Sequence, residues 1–589
     1  MISIIRDNSS DNAEYLGQML SLWGLACWKV IEQEKMRYEF ASTAILLADV
    51  DISLDLIKDY IAAGGHAILV TPDRKLLAGL GIDYPAHYSD DRKTSYMRMV
   101  RPLLSAFSHY SLPIVGNRMG ASRCHYSGNC FEIMPPPGAR ISAYMFETDG
   151  GCNDRPAIWS IPVKTGVLTV FTYDIVECFK LLRQGRPEYA NWRPDFDDIC
   201  RPEYLFGPNW MKEFHSQHLP LADFHPMMLV RIIEENLSIP VPRFWQLPGF
   251  NHSAILISGD EDGAPPEYTK EQTTFLDKIG GNLTMYIMVQ STKSSLEDLQ
   301  DNIDRGHSFS VHPYPICSKE SESCSTDQGV AKIENCVKDF QLRYNLPTRI
   351  IRNHRLYWEG YLDIPRLWEK LGVEMDTNYV SASLSGKDFG SFFASPAGVL
   401  PIYFLDEQNK IITVLQQPVG AMDTLEFNNG KPQSWNKQNS PEMFDAYCNA
   451  LVSNILKPLG IPFAFIFHPG NFCTFAREHS QRFLLKAHEH GTALISDYDW
   501  LDFWQMRKGW KIIDFNADGS KIRYKLEGKT TTNQKLSITL PCHYNDREMR
   551  EITIDGTMPR LSKITHFGEQ RVLVELPGNT KEIELKINY

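Results

Sequence analysis

Apolar and polar positions along this chain fall into successive regimes of different period. Over the first 185 residues, short apolar runs alternate with helical stretches. Residues 43–48 read as a buried strand, Ser53 is a suitable N-cap for a helix over 54–63, and Gly64-Gly65 stops that helix. The run 66–71 is the next strand, which completes one βαβ unit of a parallel sheet. Further on, 164–174 leads into a helix over 175–183 that ends at Gly185. Residues 186–250 are rich in Pro, Trp and Phe, with one helix at 226–236, and are too apolar for a free linker. They predict a connector laid over its neighbours.

From residue 251 strands and helices alternate again. Strands are predicted at 254–258, 283–288, 308–312, 349–352, 412–416 and 463–468. Helices fit 270–279, 295–305, 331–344, 364–371, 441–456 and 478–489, and an aromatic-rich helix over 498–506 closes the region. Repeated β-then-α order predicts a (β/α) barrel of eight units or fewer. From 510 the period switches to two with Gly, Asn and Asp turns, giving strands at 510–515, 521–527, 536–540, 551–554, 571–576 and 582–587. The expected fold class is α/β, with an α/β domain at 1–185, a connector at 186–250, a (β/α) barrel at 251–508 and an antiparallel β domain at 509–589.

Composition narrows the partners. At 589 residues the chain is too long for one ordinary domain, and 43% hydrophobic with 22% charged residues permits a sizeable core. A net charge of -12 argues against a nucleic-acid or anionic-membrane surface. No run of about 18 apolar residues predicts a membrane span. Met1-Ile-Ser-Ile-Ile-Arg6 lacks the basic region and long apolar stretch of a secretory signal, so a cytoplasmic protein is expected, with a removed leader left open. The 12 cysteines are scattered. The close pairs Cys124/Cys130 and Cys317/Cys324 lack zinc-knuckle spacing, so reduced thiols are expected, with a Cys317–Cys324 loop disulfide as the alternative.

The candidate chemistry lies where predicted strands end: Asp260-Glu261-Asp262-Gly263, then His307 and His312-Pro313, then Arg352-Asn353-His354-Arg355, then His468-Pro469. Strand ends are where α/β barrels collect catalytic groups, and Asp with His is a common divalent-metal ligand set. In type and order these clusters resemble the motifs of the polysaccharide deacetylase family (NodB-homology, carbohydrate esterase type) over residues 251–505. That resemblance implies a divalent metal, zinc first among them, a carbohydrate substrate, and hydrolysis of an amide, most simply N-deacetylation of an N-acetylated sugar. It implies Asp262 as a metal ligand and Asp260 as the base, with Glu261 as the alternative base. On an extended strand end the two aspartates point the same way. His312 matches the first metal histidine. Four residues on, where the family places a second, the chain has Ile316, which leaves His354 as the best replacement ligand.

Arg352 stands where the family's arginine orients the base, a role a charge-assisted hydrogen bond can fill. The family's Pro-Tyr is replaced by Asn353-His354. His468 matches the general acid, since imidazole titrates near working pH, and Asp423 is the candidate to tune it. Tyr357 and Trp358 offer sugar stacking or core packing. His307, at an odd offset from His312, is expected on the other face of the strand. Without the family resemblance, each of these side chains also has a plain structural reading: a solvated acidic loop, a strand-end histidine, an arginine paired with a loop carboxylate. Two further alternatives stand: a carbohydrate-binding protein without catalysis, favoured by Ile316 and the missing Pro-Tyr, and a hydrolase of a small non-sugar amide. A homo-oligomer stays open.

Residues 1–185 resemble the class I glutamine-amidotransferase-like (flavodoxin-like) fold. An active glutaminase needs its cysteine in a Gly-x-Cys-x-Gly elbow, and none of Cys27, Cys124, Cys130, Cys152 and Cys178 has that setting. The domain is therefore expected to be non-catalytic. Serine replacement of each of these cysteines should leave no glutaminase activity to lose, and one replacement that abolished a measured glutaminase activity would contradict this.

Overall fold

In the computed structural model, residues 2–6, 9–36, 45–82, 88–89, 95–99, 123–126, 130–131, 135–146, 152–195, 197–207, 220, 222–237, 239–315, 326–379, 398–426, 441–578 and 581–589 are described. Ile316, Cys317 and Cys324 lie outside them, as does the start of the strand expected over 43–48. None of the helices among the described residues is long and apolar enough to cross a membrane.

The first sheet contains β1 (Ile2–Ile5), β2 (Trp28–Ile31), β3 (Ile45–Ala48), β4 (His66–Val70), β5 (Ser95–Met99), β6 (Arg123–Tyr126), β7 (Arg140–Phe146), β8 (Cys152–Val163) and β9 (Gly166–Phe171). Its order is β2-β1-β3-β4-β9-β8-β7-β5-β6. The first five of these run parallel. Every residue of β1, β3 and β4 is buried, which is why they read as continuous apolar runs. The run 164–174 that leads into the next helix contains β9, which is parallel to β4 and antiparallel to β8. The next helix begins where predicted: Asp174 caps Ile175–Gln184 by accepting from the Glu177 N–H, and Gly185 ends it at φ 76°.

The second sheet carries the chemistry. It contains β10 (Ala254–Asp260), β11 (Thr284–Ile287), β12 (Ser308–Val311), β13 (Ile350–Ile351), β14 (Met375–Asp376), β15 (Ile402–Leu405), β16 (Ile411–Gln416), β17 (Ala421–Met422), β18 (Pro462–Ile466) and β19 (Ala493–Ser496). The order is β15-β16-β14-β13-β12-β11-β10-β18-β17, with β19 also paired to β10. All pairings are parallel except β15 with β16. Beyond β16, the Val419 N–H donates to the Tyr379 carbonyl, just past β14, and the Gly420 N–H to that of Ala464 in β18, so one passage of chain bridges strands from the two halves of a curled sheet. The six predicted strands are all present. The four missed ones are two-residue pairings (β14, β17), an antiparallel edge strand (β15) and a strand leading straight into a helix (β19).

The predicted connector is more than a connector. Its Arg243–Phe244 pairs with Ser537–Pro541, in a four-stranded sheet completed by Glu569–Glu575 and Leu561–His566. The other C-terminal sheet orders Lys511–Asp518, Lys521–Glu527, Glu582–Asn588 and Glu551–Ile554. In Lys521–Glu527 burial alternates residue by residue, the period-two signature of a half-buried strand.

A buried ion pair ties the first sheet's last helix to the second sheet. Arg183 donates to Asp223 Oδ1 at 3.0 Å and to Gln416 Oε1 at 2.9 Å, while Asp223 Oδ2 accepts from the Val399 and Leu400 N–H groups. Removing one member leaves the other as an uncompensated buried charge. Asp223→Ala should therefore lower the free energy of unfolding in denaturant by about 3–5 kcal/mol. A loss below about 1 kcal/mol, the scale of a surface ion pair, would contradict this reading.

Candidate active site

The C-terminal ends of parallel strands place the polar side chains together. Asp260 ends β10, His312 directly follows β12, Arg352 follows β13, Asp423 follows β17, and His468 lies two residues beyond β18. Asp262 reaches the same place by a turn rather than by the extended strand end expected from sequence. Its φ is 51°, left-handed, a conformation aspartate tolerates better than most residues. The Glu261 carboxylate is spent on that turn, accepting from Thr292 Oγ1 at 2.7 Å and from the Gly263 N–H. The geometry thus favours Asp260 over Glu261 as the acid that faces the site.

His312 Nδ1 donates to the Arg352 carbonyl at 2.8 Å, which fixes the ring and points Nε2 at Asp262 Oδ1, 3.3 Å away, and at Asp260 Oδ2, 3.8 Å away. His354 stands across from it. Its Nε2 lies 3.6 Å from Asp262 Oδ1, and its ring packs edge-on against His312 and Tyr314 with centroids 5.4 and 4.7 Å apart. His354 Nδ1 is buried without a hydrogen-bond partner among the described residues. Burial, with the neighbouring His312 charge, pushes His354 down to about 4, so its imidazole is neutral at pH 7. Burial opposes charge on Asp262 too, but hydrogen bonding and charge from His312, with His468 and His354, overcome it and bring the carboxyl down to about 2.

One oxygen of Asp262 and one nitrogen each of His312 and His354 all lie within 4.8 Å of one another. Ligands held about 2.0–2.2 Å from a tetrahedral ion stand roughly 3.3–3.6 Å apart, so the two distances to Asp262 Oδ1 already fit. A carboxylate and two imidazoles, one of them neutral with an unused lone pair, also suit such an ion chemically.

Arg352 is fully buried behind these groups. Its Nη1 donates to Asp260 Oδ1 and Ser258 Oγ, both at 2.9 Å, and its Nε to the Thr377 carbonyl at 3.1 Å. The guanidinium lies over the Tyr286 ring at 4.4 Å, and Nη2 is 3.7 Å from Asp497 Oδ2, which accepts from the Tyr286 hydroxyl at 2.8 Å. Burial would raise the Asp260 carboxyl, but the Arg352 charge, with His312 and His468, holds it below the usual carboxylate range.

Beyond the strand next to β10, His468 Nδ1 meets Asp423 Oδ1 at 2.6 Å and its backbone N–H donates to Asp423 Oδ2 at 2.8 Å. Asn471 also donates to Asp423. Nε2 of His468 faces Asp262 Oδ2 at 3.8 Å. Burial disfavours the imidazolium, but the charge and hydrogen bond of Asp423 push His468 up to about 10, so it carries its proton at neutral pH.

The six residues singled out from sequence are thus brought together. His307 is not among them: it is buried on the other side of its strand against Asp277, at 3.1 Å. Trp358 is also excluded. It packs on Tyr379 and Phe404 with its Nε1 bonded to the Tyr361 carbonyl, so of the two fates open to it, sugar stacking or core packing, it takes core packing. Sequence reasoning missed Tyr286, Asp497, Asn471 and Tyr314. Tyr286 reads as strand core and Asp497 as the first turn of a helix, so neither carried a separate signal. It also missed the brace on the His354 loop. Arg355 pairs with Asp198 at 2.6 Å, the Trp358 N–H donates to the Cys200 carbonyl, and the Gly360 N–H to Asn191 Oδ1.

No protein-family model and no curated protein matches the chain. Among solved structures it is similar to the carbohydrate deacetylase Agd3, with 10% identity over 100% of this chain and 99% of that one, at a TM-score of 0.38. It is also similar to a candidate polysaccharide deacetylase from Mycobacterium smegmatis, with 11% identity over 46% of this chain and 95% of that one, at a TM-score of 0.33. A third likeness is to Puue allantoinase, with 13% identity over 46% and 94%, at a TM-score of 0.32. Each likeness is faint in sequence and in superposition, so the functional reading rests on the side chains themselves.

Asp423→Asn removes the charge that sustains the imidazolium. Followed by NMR in chelator-treated protein, the His468 titration should fall from about 10 toward the ordinary histidine range. An unchanged titration would contradict the role given to Asp423.

Proposed function

We propose that this protein is a metal-dependent amide hydrolase acting on carbohydrate, most simply an N-deacetylase of an N-acetylated sugar. The observation that carries the reading is the convergence of Asp262, His312 and His354 beside two proton-handling pairs, Asp260–Arg352 and His468–Asp423. In this reading Asp262, His312 and His354 hold a divalent ion, zinc first among them. Such an ion, when bound, supplies Lewis acidity for the amide carbonyl and for a water nucleophile.

The chain's own groups do the rest. Asp260, kept ionised by Arg352, accepts a proton at the carboxylate face turned away from the guanidinium. His468 holds a proton at Nε2 and delivers it to the departing amine nitrogen, while Asp423 fixes the ring and sustains its charge. Arg352 and the Tyr286–Asp497 pair behind it hold Asp260 in place and do not touch substrate. The two proton-handling groups leave the ends of adjacent parallel strands, one held as a carboxylate and the other as an imidazolium, so that one can act as base and the other as acid.

The parallel run β2-β1-β3-β4-β9 has the strand order of a flavodoxin-like sheet, which supports reading residues 1–185 as a non-catalytic, amidotransferase-like accessory unit.

The test couples metal content to acetate release from N-acetylglucosamine oligomers. Wild-type protein should bind one equivalent of divalent metal. Asp262→Ala and His354→Ala should both lose it, whereas His468→Ala should keep it and lose about 10²–10⁴-fold in turnover. Wild-type protein without stoichiometric metal, binding sugar equally well in all three variants, would replace this reading with that of a carbohydrate binder.

A further inference from the structure

A second site lies where the helix Asn12–Leu22, strand β15 and the helix Asp497–Lys508 meet. These elements enclose a cavity of about 210 Å³ whose charged lining residues are Arg507, Lys508 and Lys511, with no carboxylate among its described lining. It shares no residue with the Asp262 site. The contrast with the chain as a whole, net -12, is sharp.

None of the three cations has an ion-pair partner among the described residues. Lys508 Nζ stands 3.6 Å from the centre of the Tyr403 ring, and Lys511 Nζ 4.9 Å from that of Trp28. Arg507 donates through Nε to the Trp245 carbonyl and through Nη2 to those of Leu22 and Phe244, which leaves Nη1 without a hydrogen bond among the described residues. Burial pushes Arg507 down to about 9 and Lys508 down to about 7, with no acidic neighbour to offset it. Arg507 and Lys508 lie in the last turn of their helix, where cations favour the terminal carbonyls. That does not account for Lys511, which approaches the same cavity from the following strand. The rest of the lining carries the polar side chains of Gln18 and Ser21 and an apolar wall that includes Leu22, Ile402 and Leu415.

We propose that this cavity binds a small organic oxyanion: a single carboxylate or phosphate, met by Lys508, Lys511 and the free edge of Arg507, on a body no larger than one ring laid along the apolar wall. The volume sets the size limit, since sites for drug-sized molecules span about 300–1,000 Å³. Carboxylate and phosphate satisfy the same cations, so the experiment carries one probe of each kind.

Isothermal titration of the full chain with glucuronate and with glucose 6-phosphate tests the site, with uncharged glucose as the control. At least one of the two anions should bind at one site per chain, with glucose showing no binding. Affinity should fall at least tenfold in Lys508→Gln and in Lys511→Gln and stay unchanged in Asp262→Asn. Lys511 is exposed, so its replacement leaves the fold intact and keeps the test decisive. Failure of both anions to bind, glucose binding that persists in Asp262→Asn but is lost in the lysine variants, or unaltered anion affinity in both lysine variants would each overturn the proposal. None of those outcomes bears on the metal-site reading, because the two sites have no side chain in common.

Discussion

A buried guanidinium organises the mouth of the second sheet. Arg352 is withdrawn from water, and burying an ion of this kind carries a desolvation penalty of several kcal/mol unless its donors are matched. Here they are matched by Asp260, Ser258 and Thr377, with the Tyr286 ring below and Asp497 beyond. The same residue's carbonyl fixes the tautomer and direction of His312. One arginine thus sets the ionisation of Asp260 with its side chain and the aim of His312 with its backbone. Because Asp262 faces that histidine, the geometry of the candidate metal centre follows from a charge the fold has to neutralise.

The neighbouring strand ends work by the reverse polarity. Asp423 is buried and holds His468 through both its ring and its backbone N–H, so a carboxylate there sustains an imidazolium just as Arg352 sustains a carboxylate. His354 depends less on charge than on support from outside the sheet. Asn191, Asp198 and Cys200 grip the loop from Arg355 to Gly360, which gives the stretch expected to be a connector laid over its neighbours a part in positioning a candidate ligand.

Much of this was legible in the chain. Long apolar strands, capped helices and the period-two C-terminal region stand out because periodicity reports which faces are buried. The site residues stand out because polar groups directly after apolar runs, as in Asp260 and His312, have few reasons to be there. What stayed hidden depends on contacts remote in sequence. The two-residue strands at Met375 and Ala421 have no period to read. Trp358 gives no sign that Tyr379 and Phe404 enclose it. The Asp262 turn replaces the extended geometry that appeared to put both aspartates on one face, yet reaches the same end. Ile316 marks an absence in the sequence, but only the fold shows that His354 stands beside Asp262 Oδ1.

Asp262, His312 and His354 are proposed to form one three-ligand metal centre. Anomalous diffraction at the zinc edge, from crystals of the full chain grown with zinc, tests it most directly. The account predicts a single strong peak about 2.0–2.2 Å from Asp262 Oδ1, His312 Nε2 and His354 Nε2, with a coordination position left open. A map with no peak among these three side chains, or a peak that excludes His354, would contradict it.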